Sequence, residues 1–375
     1  MNSKMVKERY YDIDWIRILA TIAVFLFHSA RFFDEHPWHV KNDVISPTLT
    51  GLVGFLVMWI MPIFFLLSGQ SAYFSIKSRS GWQFINSRIK RLAIPFIFGT
   101  LVLIPPQVYL ERLHYGQIET SFFSWFPNYF DGWYAFGGNF AWMGLHLWFL
   151  EMLFIYSILL LPLFLLIKSN LGNCIATSAG KFFNKPGLIF LLGIPLAYVE
   201  VTINPEGFGS RDFGGWNLIQ YILVFFYGYI IAAMGQLRNG FIKTRHVALI
   251  IGVIGLLLEY IPLIAGHINY SSWMIIRAFD MWAWLIALIG YGYKYLNFDN
   301  KRRIILNEAV LPFYILHQTV ILIIGYFVIQ TNMTPLLKYL IVGVISFSVI
   351  VSTYLYLVKQ SNLLRFLFGM KSKSI

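Results

Sequence analysis

The chain has 375 residues, 58% of them hydrophobic and only 12% charged, with a net charge of +12. A soluble domain carries about 25% charged residues, so this composition excludes an ordinary soluble enzyme and points to a membrane class. The basic residues lie between apolar runs and no RNA- or DNA-binding motif is present, so nucleic acid is set aside as a partner and the positive-inside rule accounts for the charge. One cysteine, Cys174, leaves no intramolecular disulfide.

Ten apolar stretches follow one another, at roughly 13–33, 49–75, 92–111, 145–167, 187–201, 216–236, 246–265, 272–293, 308–329 and 335–357. An apolar run of about 20 residues crosses a bilayer core as a helix. The pattern predicts an all-α polytopic integral membrane bundle of about ten transmembrane helices, forming one domain over 1–375, with the lipid bilayer as its solvent. Lys4, Lys7 and Arg9 make a short basic start. Lys and Arg then alternate between loops: Lys77, Arg79, Arg88, Lys90 and Arg91 in one, Lys168, Lys181 and Lys185 in another, and so on to a basic C-terminal tail. Intervening loops hold few, Lys41 and Arg211 being the clear exceptions. This alternation predicts that both termini are cytoplasmic. The first run carries Arg17 and His28 and no small-residue cleavage site follows it, so it reads as a span and not as a signal peptide.

That first span is the centre of the reading. Arg17 and His28 are eleven residues apart, three turns plus roughly 20°, so they share a face about 16 Å apart along the axis. Ionisable groups inside a membrane helix are costly and usually face a bundle interior, which marks a candidate site. The bland alternative is a structural histidine bonded between helices. Span two contains Pro62 and ends near Ser68-Gly69, small residues that let a ligand or another backbone approach closely. Arg88 and Arg91 in the next segment share a helical face. They either follow the positive-inside rule alone or clamp phosphates, whose geometry guanidinium groups match.

The longest loop on the outer side, about 112–144, is aromatic (FFSWFPNYFDGWYAF). It either stacks on sugar rings or rests on lipid headgroups. Span four opens with GLHLWFLEM, in which Trp148 suits the membrane interface and His146 caps the opening turn or contacts a substrate. Glu151 counts to the depth of His28, so a buried carboxylate there is positioned to orient the imidazole; otherwise it reaches the outer interface. His317, in LPFYILHQ, is a second candidate for chemistry or for an interhelical hydrogen bond.

Taken together, Arg17-x10-His28, Ser68-Gly69, Arg88-x-x-Arg91, HLWFLE at 146–151 and LPFYILHQ at 311–318 resemble the acyltransferase 3 family of polytopic bacterial membrane proteins. HLWFL and FYILHQ resemble the subgroup that includes the periplasmic glucan succinyltransferases; Gln70 departs from the Phe that often follows Ser-Gly. The resemblance implies an inner-membrane O-acyltransferase with acyl-CoA as co-substrate, a glycan acceptor, and no tightly bound cofactor or metal. It implies His28 as the essential residue. CoA phosphates would lie near Arg17, Arg88 and Arg91, with Ser68 and Gly69 near the thioester. A different class also fits the buried charges: a transporter or flippase of a polar or anionic solute. Against it, no repeated halves with paired broken helices are visible.

Overall fold

The computed structural model describes residues 10–203, 214–260 and 269–373, so Lys4, Lys7, Arg9 and Arg211 lie outside the described residues. Its helices are α1 (Tyr11–Ala30), α2 (Pro47–Lys77), α3 (Gly81–Arg88), α4 (Ile94–Val102), α5 (Pro105–His114), α6 (Trp148–Leu159), α7 (Leu161–Lys168) and α8 (Asn170–Phe183). They continue with α9 (Gly193–Thr202), α10 (Leu218–Ala233), α11 (Leu237–Tyr260), α12 (Tyr270–Tyr295), α13 (Lys301–Ile329), α14 (Pro335–Thr353) and α15 (Asn362–Leu367). The all-α polytopic bundle stands.

Ten apolar stretches predict about ten spans; among the described residues, seven helical stretches are long and apolar enough to cross a bilayer, one of them Gly81–His114, which runs through α3, α4 and α5. An eighth is added if α6 and α7, with the turn before them, form one span bent by 52°. The bend falls where Pro162 enters the first turn of α7, because proline has no N–H to continue the ladder. The fifth and sixth stretches hold apolar helices too short to qualify, Leu188–Thr202 and Leu218–Ala233. The fifth opens as a 3-10 turn, Leu188–Leu192, before α9 begins.

α1 sits inside the bundle, packed against α2, α12, α13 and α14. Its first turn is tied down by charge. Asp12 pairs with Arg238 and Asp14 with Arg303, and Arg303 also holds Asp299 at 2.8 Å. These bridges fasten α1 to the starts of α11 and α13, so the depth and rotation of α1 are fixed at that end.

Two local features of α2 follow from single residues. Pro62 removes the N–H that would bond Met58 O; the indole Nε1 of Trp216 takes that carbonyl instead, at 3.1 Å. Gly69 lies against the backbone of α10, where a Cβ would come within 2.0 Å of Phe225 O and 2.7 Å of Tyr229 N. The Ser68-Gly69 pair therefore makes a helix crossing, and Gly69 is not open to a ligand as the sequence allowed. Gly69→Ala must push two backbones apart. Overpacking in cores costs about 1–3 kcal/mol, and with no side chain able to rotate aside the upper figure applies. The thermal midpoint of the purified protein should fall by several degrees for Gly69→Ala but not for Gly51→Ala, whose Cβ would meet open space. Equal midpoints would show that the crossing carries no such constraint.

The loop between α5 and α6 is folded. Phe122–Trp125 forms a single helical turn, Trp133 and Phe140 make an isolated bridge, and the buried Tyr129 hydroxyl donates to Thr100 O at 2.9 Å. Phe123, Phe136 and Trp133 remain exposed.

Candidate active site

Three imidazoles meet where α1, α13 and the turn before α6 converge. The ring centroid of His317 lies 4.8 Å from that of His28 and 5.1 Å from that of His146. Hydrogen-bond chemistry sets their tautomers, because a carbonyl only accepts and a neutral imidazole has one donor and one acceptor nitrogen. His317 Nδ1 faces Tyr314 O, so Nδ1 carries the proton and Nε2 accepts. His28 Nδ1 lies 3.0 Å from Val24 O and 3.1 Å from His317 Nε2. Both are acceptors, so His28 Nδ1 donates and its Nε2 keeps the lone pair. That nitrogen has no hydrogen-bond partner among the described residues, and the ring is only half-buried. The result is a chain running from the Tyr314 carbonyl through His317 to a His28 whose Nε2 lone pair is unused.

His146 is different. Its Nε2 donates to Ile315 O at 3.1 Å and its Nδ1 accepts from Gln107 Nε2 at 3.3 Å. Gln107 also donates to Thr319 Oγ1 at 2.7 Å and accepts from Gln318 Nε2 at 3.0 Å. Both ring nitrogens are thus used within a buried network joining α5, α13 and the turn Leu145–Leu147. The three rings do not point at one centre. Among the described residues no group of three or more His, Cys, Asp or Glu is placed to hold a metal ion.

The expected partner of His28 is displaced. Glu151 makes no hydrogen bond to it, and Glu151 Oε2 is buried without a partner among the described residues. Depth counting placed Glu151 level with His28, but the 3-10 turn at Leu145–Leu147 resets the helix phase before α6 starts, and His146 takes the position facing α13. Trp148 is likewise not at a mouth: it is buried, 5.3 Å from the Tyr221 ring and 6.0 Å from Phe65. Val24 O and His317 Nε2 share the Nδ1 proton of His28 and together hold the ring with Nε2 free; if His28 carries an acyl transfer, His317→Gln should leave donor binding unchanged and lower turnover about tenfold, short of the loss from deleting His28 itself. A turnover equal to wild type would remove His317 from the site.

At the opposite end of the same face lie the arginines. Arg17 Nη2 donates to Ser71 Oγ at 2.8 Å and Nη1 stands 3.7 Å from Asp14. Ser71, one turn beyond Ser68, is therefore the α2 hydroxyl that meets Arg17; Ser68 itself is half-buried. Arg17, Arg88 and Arg91 lie close enough for their charges to repel, and Arg79 joins them. Arg79 is held by Ser75 Oγ at 2.9 Å and Ser87 Oγ at 3.3 Å, while Arg88 lies over the Phe84 ring at 4.6 Å. Arg88 and Arg91 straddle the start of a π-helical turn, Ile89–Ala93, so they do not share an ideal helical face. π-turns are frequent at functional sites. The turn precedes Pro95, which cannot donate to Arg91 O.

Ser71 and Gln107 gave no signal in the sequence, Arg79 was legible only as a loop cation, and Gln318 only as the end of LPFYILHQ; the run His317-Gln318-Thr319 was the available signal for the last.

The histidine chain and the arginine cluster lie within a stretch of sequence that is similar to known proteins. A family profile described as an acyltransferase domain matches residues 10–355. Two curated relatives from Escherichia coli strains, both named glucans biosynthesis protein C, are 27% identical over 337 residues and 26% over 334; each covers 86% of this chain and 84% of the relative. No solved structure matches the chain. Since the matched domain runs from the start of α1 past the end of α14 and so includes every residue of both clusters, the chain belongs to the acyltransferase 3 family of membrane proteins.

Proposed function

We propose that this protein is an O-acyltransferase of the cell's inner membrane. It moves an acetyl or succinyl group from cytoplasmic acyl-CoA to a hydroxyl of a carbohydrate on the outer face. The observation that carries the reading is the free Nε2 of His28, on the same helix face as an arginine cluster that has little carboxylate to neutralise it. The arginines offer phosphate-matching donors for CoA, and the basic end of the bundle is the cytoplasmic one. A carbohydrate acceptor is supported by relatives whose name places them in glucan biosynthesis.

In the reaction, His28 Nε2 takes the proton of the acceptor hydroxyl. The oxygen attacks the thioester carbonyl, the carbon–sulfur bond breaks, and the thiolate of CoA recovers the proton from His28. His317 holds the imidazole in the tautomer this requires. The test is CoA release by purified protein in nanodiscs, with acetyl-CoA and succinyl-CoA supplied separately and glucose oligosaccharides as acceptor, and mass spectrometry of the carbohydrate. One donor should release CoA and leave its acyl mass on the sugar. Absence of binding and release with both donors would remove the reading.

A further inference from the structure

Between α1 and α2, and over the end of α5, lies a second set of chemistry-bearing side chains that the reaction above does not use. His39 Nδ1 hydrogen-bonds to Glu111 Oε2. The same carboxylate oxygen accepts from the Tyr134 hydroxyl at 2.6 Å, and Glu111 Oε1 stands 3.4 Å from Arg112 Nη1. The carboxylate is surrounded by donors, so His39 Nδ1 carries its proton and Nε2 presents the lone pair. His39 Nε2 has no partner among the described residues, and the side chains of His39 and Glu111 are 14% and 10% exposed. This is a carboxylate-oriented imidazole, the arrangement expected of Glu151 with His28 and found instead with Glu111 and His39.

Its surroundings connect it to the reaction centre. Trp38, half-buried, has its ring 5.7 Å from that of His39 and 6.3 Å from that of His28. The segment is held rigidly: Tyr115 donates to Trp38 O at 2.9 Å, the Lys41 N–H to His114 Nε2 at 3.2 Å, and the Lys338 ammonium to Asn42 Oδ1 at 2.7 Å. Its continuation lines a cavity of about 200 Å³, with Lys41, Asn42, Asp43, His114, Tyr326 and Gln330 in its wall. A cavity that size holds a single ring rather than a chain. Charge here is mixed: Lys41 lies 2.7 Å from Asp34, which also takes Arg31, and Asp43 stands in the cavity wall. A mouth of interleaved donors and acceptors beside an aromatic ring suits a polyol.

We propose that His39, oriented by Glu111, together with Trp38 and the adjoining cavity, forms the binding site for a sugar ring of the acceptor. His39 Nε2 accepts a hydrogen bond from one hydroxyl while a neighbouring hydroxyl is held toward His28. His39 is a positioning residue, and the base remains His28. The assignment of this sugar as acceptor rests on the acyltransferase reading; the binding site itself does not.

The test separates the two. Full-length protein in nanodiscs is titrated calorimetrically with neutral glucose oligosaccharides in the absence of acyl-CoA. Wild type should bind, and His39→Gln and Glu111→Gln should each weaken binding tenfold or more. In the transfer assay the same variants should raise KM for the oligosaccharide by more than they lower kcat, and a monodisperse elution peak with wild-type acyl-CoA affinity shows that they fold. No sugar binding by wild type, or variants that bind as tightly as wild type, would overturn the site. So would variants that lose hydrolysis and transfer together, since that marks a structural role. Sugar binding without any CoA release would keep the site and overturn the acyltransferase reading.

Discussion

His28→Ala should abolish acyl transfer while leaving acyl-CoA bound. The mutation removes the only nitrogen of the histidine chain that has no partner among the described residues, since His317 spends both of its nitrogens on Tyr314 O and His28, and His146 spends both on Ile315 O and Gln107. A positioned histidine base contributes about two to four orders of magnitude in rate, and turnover should fall by that much. On the proposed reading donor affinity is set by the arginines at the other end of the helix, roughly 16 Å away by helical rise, and should not change. The substitution leaves His317 Nε2 without its donor, at a cost of about 1–3 kcal/mol for a buried unsatisfied group. Elution as a monodisperse peak and an unchanged acyl-CoA dissociation constant therefore belong with the rate measurement. Retained turnover would move the chemistry to another group. Direct attack by the acceptor and an acyl-imidazole intermediate both use Nε2; radiolabelled donor without acceptor separates them, because only the second leaves label on the protein.

The sequence showed the two ends of this site and not its middle. Arg17 and His28 were legible because helix geometry is fixed: eleven residues always return to nearly the same face. Arg88 and Arg91 were legible as guanidinium groups near one membrane surface, although the π-turn that separates their faces was signalled only by Pro95. What orients His28 was not legible. Depth along an axis can be counted from sequence, but rotation about it cannot when a 3-10 turn precedes the helix, and Glu151 was misplaced for that reason. Nor does sequence say that α13 is the helix packed on α1, so His317 was legible as a candidate for chemistry or for an interhelical hydrogen bond, but not that its partner in that bond is His28. Gly69 shows the same limit, since a small residue invites a ligand and a helix equally and here α10 occupies the space. The bundle followed from composition and apolar periodicity, while the number of full-length spans depended on Pro162 and on short helices that hydropathy alone does not resolve.

Removing arginines should separate stability from donor binding in opposite directions. Arg17, Arg88 and Arg91 repel one another, and Arg79 adds to the repulsion, with Asp14 the nearby carboxylate on Arg17. An arginine retained for structure normally loses stability on deletion, because a bonded partner is left behind. Among the described residues neither Arg88 nor Arg91 has a carboxylate partner, so Arg88→Ala and Arg91→Ala each relieve like-charge repulsion and should leave the thermal midpoint of the empty protein unchanged or higher. Hydrogen bonds to charged groups contribute about 1.5–3 kcal/mol each. The donor dissociation constant should therefore rise roughly 10- to 100-fold per arginine, and the rise in midpoint that saturating acyl-CoA gives wild type should shrink accordingly. Arg88→Lys keeps the charge but loses the planar fork, so it should recover part of the affinity. Added salt should weaken donor binding in wild type and less so in the double variant, since screening acts on the charges that remain. A lower midpoint with unchanged donor affinity would make these residues structural, and the positive-inside rule would then be their whole explanation.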